Sequence, residues 1–334
     1  MQLNSISNQT QTLTQSGVID TIGNTPLIKL DKLSKDKPYT LFGKLESANP
    51  GGSIKDRTAK QLIENAMRLG YLHTGGTVIE SSSGNLAVGL AQVCKYYEVN
   101  LIVVVDPKIN QQTLKILKAY GAQIDYVRKA CPKEGFLGAR LNRVKELLDK
   151  HPGSFWPNQY GNFENPKAHE QTMREIVKSL EAAPDYLFVA TSTCGTLMGC
   201  AQYIKDNGLP TKLIAVDAKG SVLFNRPAGD REIPGHGASR PSQLLNCEYV
   251  DDVIHVDDMD CVRGCHLLLD TEALMCGGSS GAIVSAIEKY SDNLPFGSVC
   301  AAILCDKGER YLDTIYNWQW VAMLKTKQRL QSAN

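Results

Sequence analysis

Asn49-Pro50-Gly51-Gly52-Ser53-Ile54-Lys55-Asp56-Arg57 is the stretch from which the architecture can be read. It follows a strand-like apolar run at 41–46 and enters a stretch with helical periodicity at 56–69. A Pro-Gly-Gly turn between two such runs marks a strand–loop–helix unit. Working outward, the unit recurs. Strands are expected at 77–80, 101–106, 123–127, 186–191, 213–217, 253–256 and 299–305. Helices are expected at 86–97, 112–120, 138–150, 167–181, 197–205, 259–269 and 281–289. Several strands are continuous Val/Ile/Leu runs, as in strands buried on both faces. The alternation predicts an α/β protein with mainly parallel sheets.

At 334 residues the chain is longer than one core usually serves, so two domains are expected. The turn-rich His151-Pro152-Gly153-Ser154 marks a boundary. A strand-like run at 25–30 precedes the first unit, and residues 1–16, rich in Ser, Thr, Asn and Gln, are expected to be frayed or disordered. The formal charge of +1 gives no basic field for nucleic acid. No apolar run is long enough to span a bilayer, and the polar start carries no Lys or Arg, unlike a signal peptide. A cytoplasmic location is expected. The ten cysteines contain no Cys-x-x-Cys pair and suit a reducing compartment. Cys261 and Cys265, beside His266, read as small apolar residues on one helix face rather than as part of a metal site, and no metal is expected.

In open parallel sheets ligands sit on the loops at the carboxyl ends of strands. Four such loops are rich in Gly, Ser, Thr and Asn. In the first, Lys55 opens a helix, where its charge opposes the macrodipole. An imine with an aldehyde cofactor would remove that charge, and a desolvated site would keep the amine partly neutral; the plain alternative is a solvated surface lysine. The order Gly-Lys-Ser/Thr of a P-loop is absent. The second loop, Glu80-Ser81-Ser82-Ser83-Gly84-Asn85, offers hydroxyls and N–H groups to a carboxylate, or simply caps a helix. The third, Ser192-Thr193-Cys194-Gly195-Thr196, has the small residues and hydroxyls of a phosphate cradle; Gly195 and Gly199 do not make the dinucleotide fingerprint. The fourth, Gly277-Gly278-Ser279-Ser280-Gly281, taken alone, is a turn signal.

Together, Asn-Pro-x-x-Ser-x-Lys-Asp-Arg, Ser-Gly-Asn, the Gly/Thr loop, Gly-x-Ser-Ser-Gly and Gly-Glu-Arg-Tyr, in that order from about Ile19 to Tyr311, resemble the fold-type II pyridoxal-phosphate enzymes of the cysteine synthase and cystathionine β-synthase family. The resemblance implies a tryptophan synthase β-like fold: two open, twisted, mainly parallel sheets with helices on both faces. It also implies a smaller mobile domain at 48–156 and a larger cofactor domain from 17–47 and 157–334. Pyridoxal 5'-phosphate is the implied cofactor, with Lys55 as its imine partner. Asn85 would sit at its phenolic oxygen, Ser279 at its ring nitrogen, and Ser192, Thr193, Cys194, Gly195 and Thr196 at its phosphate. Ser82, Ser83, Gly84 and Gln159 would hold the substrate carboxylate. A homodimer is implied as well.

Departures from the cysteine synthase pattern narrow the resemblance. Leu86 and Ala87 follow Asn85; Ser192 and Cys194 replace glycines; Asp217-Ala218-Lys219-Gly220-Ser221 replaces a Glu-Pro turn; and Gly235-His236-Gly237-Ala238-Ser239-Arg240 brings an extra arginine. These resemble a branch that joins O-phospho-L-serine to L-glutamate on the way to 2,3-diaminopropionate, for a siderophore or a peptide product. There, the substrate phosphate would be held by residues matching Arg140, Tyr160 and Ser192, as a dianion demands. Arg240 and Lys219 are the candidates for the glutamate carboxylates. The rival readings are a cysteine synthase using O-phosphoserine or O-acetylserine, and an inactive pyridoxal-phosphate-binding regulatory protein.

Overall fold

Lys44 lies near the carboxyl end of a strand, fully buried, and its ammonium meets Glu175 at 2.7 Å. The strand belongs to the larger of two sheets in the computed structural model, which describes residues 17–132 and 134–332. The expectation for residues 1–16 falls outside the described residues.

The larger sheet has six strands in the order β1-β2-β9-β6-β7-β8. They are β1 (Leu27–Lys29), β2 (Tyr39–Leu45), β6 (Tyr186–Ala190), β7 (Lys212–Ala218), β8 (Asp252–Val256) and β9 (Ser298–Leu304). All neighbours are parallel except β1, which pairs antiparallel with β2. The smaller sheet is parallel, β3 (Thr77–Ser81), β4 (Asn100–Val105) and β5 (Gln123–Tyr126).

Both sheets are covered on both faces, as parallel sheets must be. In β6, Phe188 packs with α7 (Asp258–Glu272) and α8 (Gly278–Tyr290), while Leu187 and Val189 face α5 (Glu164–Leu180) and α6 (Gly195–Asp206). That is the period-two alternation of a strand with apolar residues at every position. In the smaller sheet, Val103 and Val105 pack with α1 (Lys55–Arg68), α2 (Asn85–Tyr96) and α3 (Gln111–Ala119). Ile102 and Val104 face Val144 and Leu147 of α4 (Gly135–Lys150). Every expected strand and helix is present within a few residues. The C-terminal α9 (Trp318–Ser332) was not foreseen, since its inward side is carried by little more than Val321 and Leu324. Cys261 and Cys265 lie buried on α7.

The start of α1 is fixed by a buried ionic network. Arg57 donates to Glu46 and to Glu175, each at 2.7 Å at the closest. Thr25 donates to Glu46 at 2.7 Å and Asn49 to the same carboxylate at 2.8 Å. The two cations hold the Glu175 carboxyl down at about 2 against the pull of burial. Such a network adds little over an apolar core, but removing one partner strands buried charge. Arg57→Leu should therefore destabilise the protein by about 3–5 kcal/mol, read as a lowered urea midpoint at pH 7. An unchanged midpoint would show that the network does not hold α1.

Candidate active site

Adjacent strands β2, β9 and β6 deliver three loops side by side: Asn49–Lys55, Cys305–Lys307 and Ser192–Thr196. The first two are stitched together by backbone hydrogen bonds from Ile54 to Cys305 at 2.8 Å and from Lys307 to Gly52 at 3.2 Å. Gly52 has φ +84°, a conformation that L side chains rarely adopt. Asp56 accepts from the Gly51 N–H at 2.6 Å and closes the turn. Lys55 is thus the first residue of α1, looking into a cavity of about 120 Å³ lined also by Ser82, Asn85, Gln159, Tyr160, Ser192–Thr196, Ser279 and Cys305.

Within that cavity Lys55 has no carboxylate partner among the described residues. Enclosure by protein atoms lowers its ammonium pKa, leaving the amine poised for imine chemistry. Across from it, α6 starts at Gly195, where an added Cβ would lie 2.1 Å from Asn165 Oδ1. Its N-cap, Cys194, is in the left-handed conformation with φ 64° and makes no side-chain cap bond. An uncapped first turn offers its N–H groups to an anion. Asn165 donates to Thr193 Oγ1 at 3.1 Å and to the Gln159 carbonyl at 2.8 Å, tying the cradle to the 159–160 segment.

Asn85 begins α2 and donates to Asp306 at 2.8 Å; Tyr311 donates to the same oxygen at 2.7 Å. Asp306 is fully buried, and burial pushes its carboxyl pKa up. Ser279, in the first turn of α8, is buried at the cavity wall beside Gly235.

A family model for pyridoxal-phosphate dependent enzymes matches residues 18–306. The chain belongs to that family. It is 44% identical over 308 residues to the N-(2-amino-2-carboxyethyl)-L-glutamate synthase of Ralstonia nicotianae, covering 92% of this chain and 91% of the relative. It is similar to the crystal structure of an O-acetylserine-dependent cystathionine β-synthase from Helicobacter pylori, with TM-score 0.83, 31% identity and coverage of 91% and 100%. A hydrogen sulfide-producing enzyme from Fusobacterium nucleatum matches equally, with TM-score 0.83, 31% identity and coverage of 90% and 100%.

Pyridoxal phosphate is this enzyme's cofactor, and the residues fit it. The family's aldehyde needs an amine in low dielectric, its phosphate an anion cradle and its ring polar edges. Lys55, the uncapped turn of α6, and Asn85 with Ser279 answer those needs on one cavity.

Tyr160 and Ser192 share the cavity with Lys55. Arg140 and Ser83 instead line a larger adjoining cavity, with Arg140 3.4 Å from Asp106 and 3.5 Å from Ser83 Oγ. Arg240 lines neither; its guanidinium stacks on the Tyr160 ring at 4.4 Å. Lys219 is exposed, pairs with Asp257 at 3.1 Å, and belongs to a separate cleft with Lys325 and Arg329. Asp306 was missed by sequence reasoning, although its place directly after a buried strand was the available signal.

Glu80, at the end of β3, holds the other side of the 158–159 turn. It accepts from Ser81 at 2.7 Å and Trp156 at 3.2 Å, and burial pushes its carboxyl up to about 7.

Lys55→Ala should lose the visible absorbance of purified holoenzyme and all turnover; a variant that retained the band would place the cofactor elsewhere. For Glu80, a raised folded-state pKa means stability present below the unfolded value near 4.5 and lost as pH rises through about 7. The loss is about 3 kcal/mol. Urea unfolding of the apoprotein should show that loss between pH 4.5 and 7.5 in the wild type, diminished by that amount in Glu80→Gln. Parallel pH profiles would refute it.

Proposed function

We propose that this enzyme joins O-phospho-L-serine to L-glutamate, giving N-(2-amino-2-carboxyethyl)-L-glutamate and phosphate, as the first step toward 2,3-diaminopropionate for a siderophore or peptide product. The observation that carries the reading is the likeness, over nearly the whole length of both chains, to the Ralstonia enzyme of that name. The presence of Arg140, Tyr160 and Ser192 around two joined cavities supports it.

Bound pyridoxal phosphate supplies an electron sink that makes an amino acid's Cα proton removable and its β-substituent labile. Lys55, whose ammonium pKa is lowered by its enclosure, takes the Cα proton and later returns it. Ser192–Thr196 would hold the cofactor's phosphate, Asn85 its phenolic oxygen and Ser279 its ring nitrogen. A neutral hydroxyl does not fix a proton on that nitrogen as a carboxylate would, which favours loss of the β-substituent over transamination. Ser82, Ser83, Gly84 and Gln159 hold the substrate carboxylate. Arg140, Tyr160 and Ser192 hold the departing phosphate, and Arg240, stacked on Tyr160, keeps that ring in place. Overall the Cβ–O bond breaks with its electron pair on phosphate, and the glutamate nitrogen bonds to Cβ and gives up one proton. Cα ends with the proton it began with.

In this reading residues 48–156 move as a unit against 17–47 and 157–334, and the enzyme works as a homodimer in the cytoplasm. The ten cysteines are all free, as a reducing compartment would keep them. No helix among the described residues is long and apolar enough to cross a membrane.

Mass spectrometry of products from O-phospho-L-serine plus L-glutamate should show the condensed amino acid, with little product from sulfide or O-acetylserine. In the same assay Arg140→Gln should raise the KM for O-phospho-L-serine about tenfold, the loss of one charge-assisted contact. Cysteine as the main product would overturn the assignment.

A further inference from the structure

The cavity adjoining the cofactor site is the larger of the two, about 810 Å³. Asn85 and Gly235 line both, so a ligand in the larger cavity lies next to the reacting centre. Its walls carry Lys108, Arg140, Arg231 and Arg310 against two carboxylates, Asp106 and Glu232. Both carboxylates are already engaged: Asp106 lies 3.4 Å from Arg140, and Glu232 pairs with Lys327. Among the described residues no ion pair engages Lys108, Arg231 or Arg310. Arg231 is held only by neutral acceptors, the His236 carbonyl at 3.0 Å and Ser239 Oγ at 2.7 Å. Arg310 also feels the buried Asp56 and Asp306 carboxyls, yet the four cations of the cavity wall outnumber its two carboxylates, an imbalance that an anion in the cavity would relieve.

The remaining wall narrows the anion. Ile233, Ile315 and Trp320 give it an apolar side, suited to a short methylene chain rather than to an inorganic ion. The positions of the cations also matter. Arg231 lies four residues before Gly235, the wall shared with the cofactor cavity. The Arg310 backbone accepts from Asn110 at 3.0 Å, at the start of α3, which holds it against the smaller sheet's loops. Lys108 sits at the exposed rim, after β4.

We propose that this cavity is the binding site for the second substrate and that it selects a dicarboxylate with a short apolar spacer, its carboxylates held by Arg231 and Arg310 with Lys108 at the mouth. This rests on the reaction proposed above and assigns the glutamate-binding role to residues other than Arg240 and Lys219, neither of which lines the cavity. The amine of a bound amino dicarboxylate then reaches the cofactor cavity past Asn85 and Gly235.

The test uses holoenzyme and glutarate, a dicarboxylate with the same spacing and no amine to react, with butyrate as the one-carboxylate control. Isothermal titration should show binding of glutarate and not of butyrate. Arg231→Gln and Arg310→Gln should each weaken glutarate about tenfold or more and raise the KM for L-glutamate by a similar factor, with less change in the KM for O-phospho-L-serine. Arg231 also braces its own loop, so Lys108→Gln, at an exposed side chain, serves as the variant that keeps the fold; a threefold or greater weakening is expected. Wild-type enzyme that does not bind glutarate, or three variants that bind it as the wild type does, would overturn the proposal. Glutarate bound in this charge-dependent way by an enzyme that makes no condensed product would uphold the cavity assignment and overturn the reaction instead.

Discussion

The structure hangs on Arg57. Its guanidinium sits two residues after Lys55, in the first turn of α1, and is clamped by Glu46 from the end of β2 and Glu175 from α5. Lys44 shares Glu175, Asn49 shares Glu46, and the backbone N–H groups of Gly23 and Asn24 donate to Asn49 and Glu175 at 2.9 Å each. The network thus joins the N-terminal segment, strand β2, the lysine loop and a helix more than a hundred residues away. Two cations against two carboxylates leave no net buried charge. A desolvated network of this kind is poor as a source of stability but strict about geometry, because any displaced member leaves another unpaired. Lys55 takes its aim from that strictness.

Two neighbouring cavities then differ sharply in their electrostatics. Around Lys55 the groups are hydroxyls, amides and thiols, and burial pushes Cys194 and Cys305 up to about 12, so that no thiolate competes as a nucleophile. Next door, guanidinium groups outnumber the carboxylates free to meet them. Asp306 stands between the regimes. It takes hydrogen bonds from Asn85 and Tyr311, and the Arg310 charge opposes the upward push of burial on its carboxyl. Asn85, on the wall shared by the two cavities, is therefore held by a residue that also feels the cationic one.

Much of this was legible in the sequence, and the boundary of legibility is physical. Strand–helix alternation is a local pattern, so each element could be read, and the parallel sheets followed from apolar runs such as Leu101–Val105. The four loops were legible because strand ends in such sheets are where ligands bind. What the sequence could not supply was pairing at long range: Arg57 with Glu175, Asn85 with Asp306, or the sharing of one cavity by Arg231 and Arg310. Lys219 and Arg240 stand in loops that depart from the sulfide-using pattern. A departing loop, though, says where the chain changes, not which way a side chain points. Lys219 turns to Asp257 and Arg240 to Tyr160, while Arg231, earlier in the same excursion as Arg240, lines the cavity.

The cationic cavity bears on reactivity as well as on affinity. An amino acid enters with its amine protonated, and only the neutral amine can form a bond to carbon. Positive charge near an ammonium lowers its pKa, and near a carboxylate it favours the ionised form. Lys108, Arg231 and Arg310 would therefore act on both ends of a bound amino dicarboxylate in the useful sense, holding the carboxylates and easing the proton off the nitrogen. Sulfide, already a nucleophile at neutral pH, has no need of such a field. The excess of positive charge in the larger cavity would thus suit an amine nucleophile, beside a cofactor site that would serve an amine or a thiol alike.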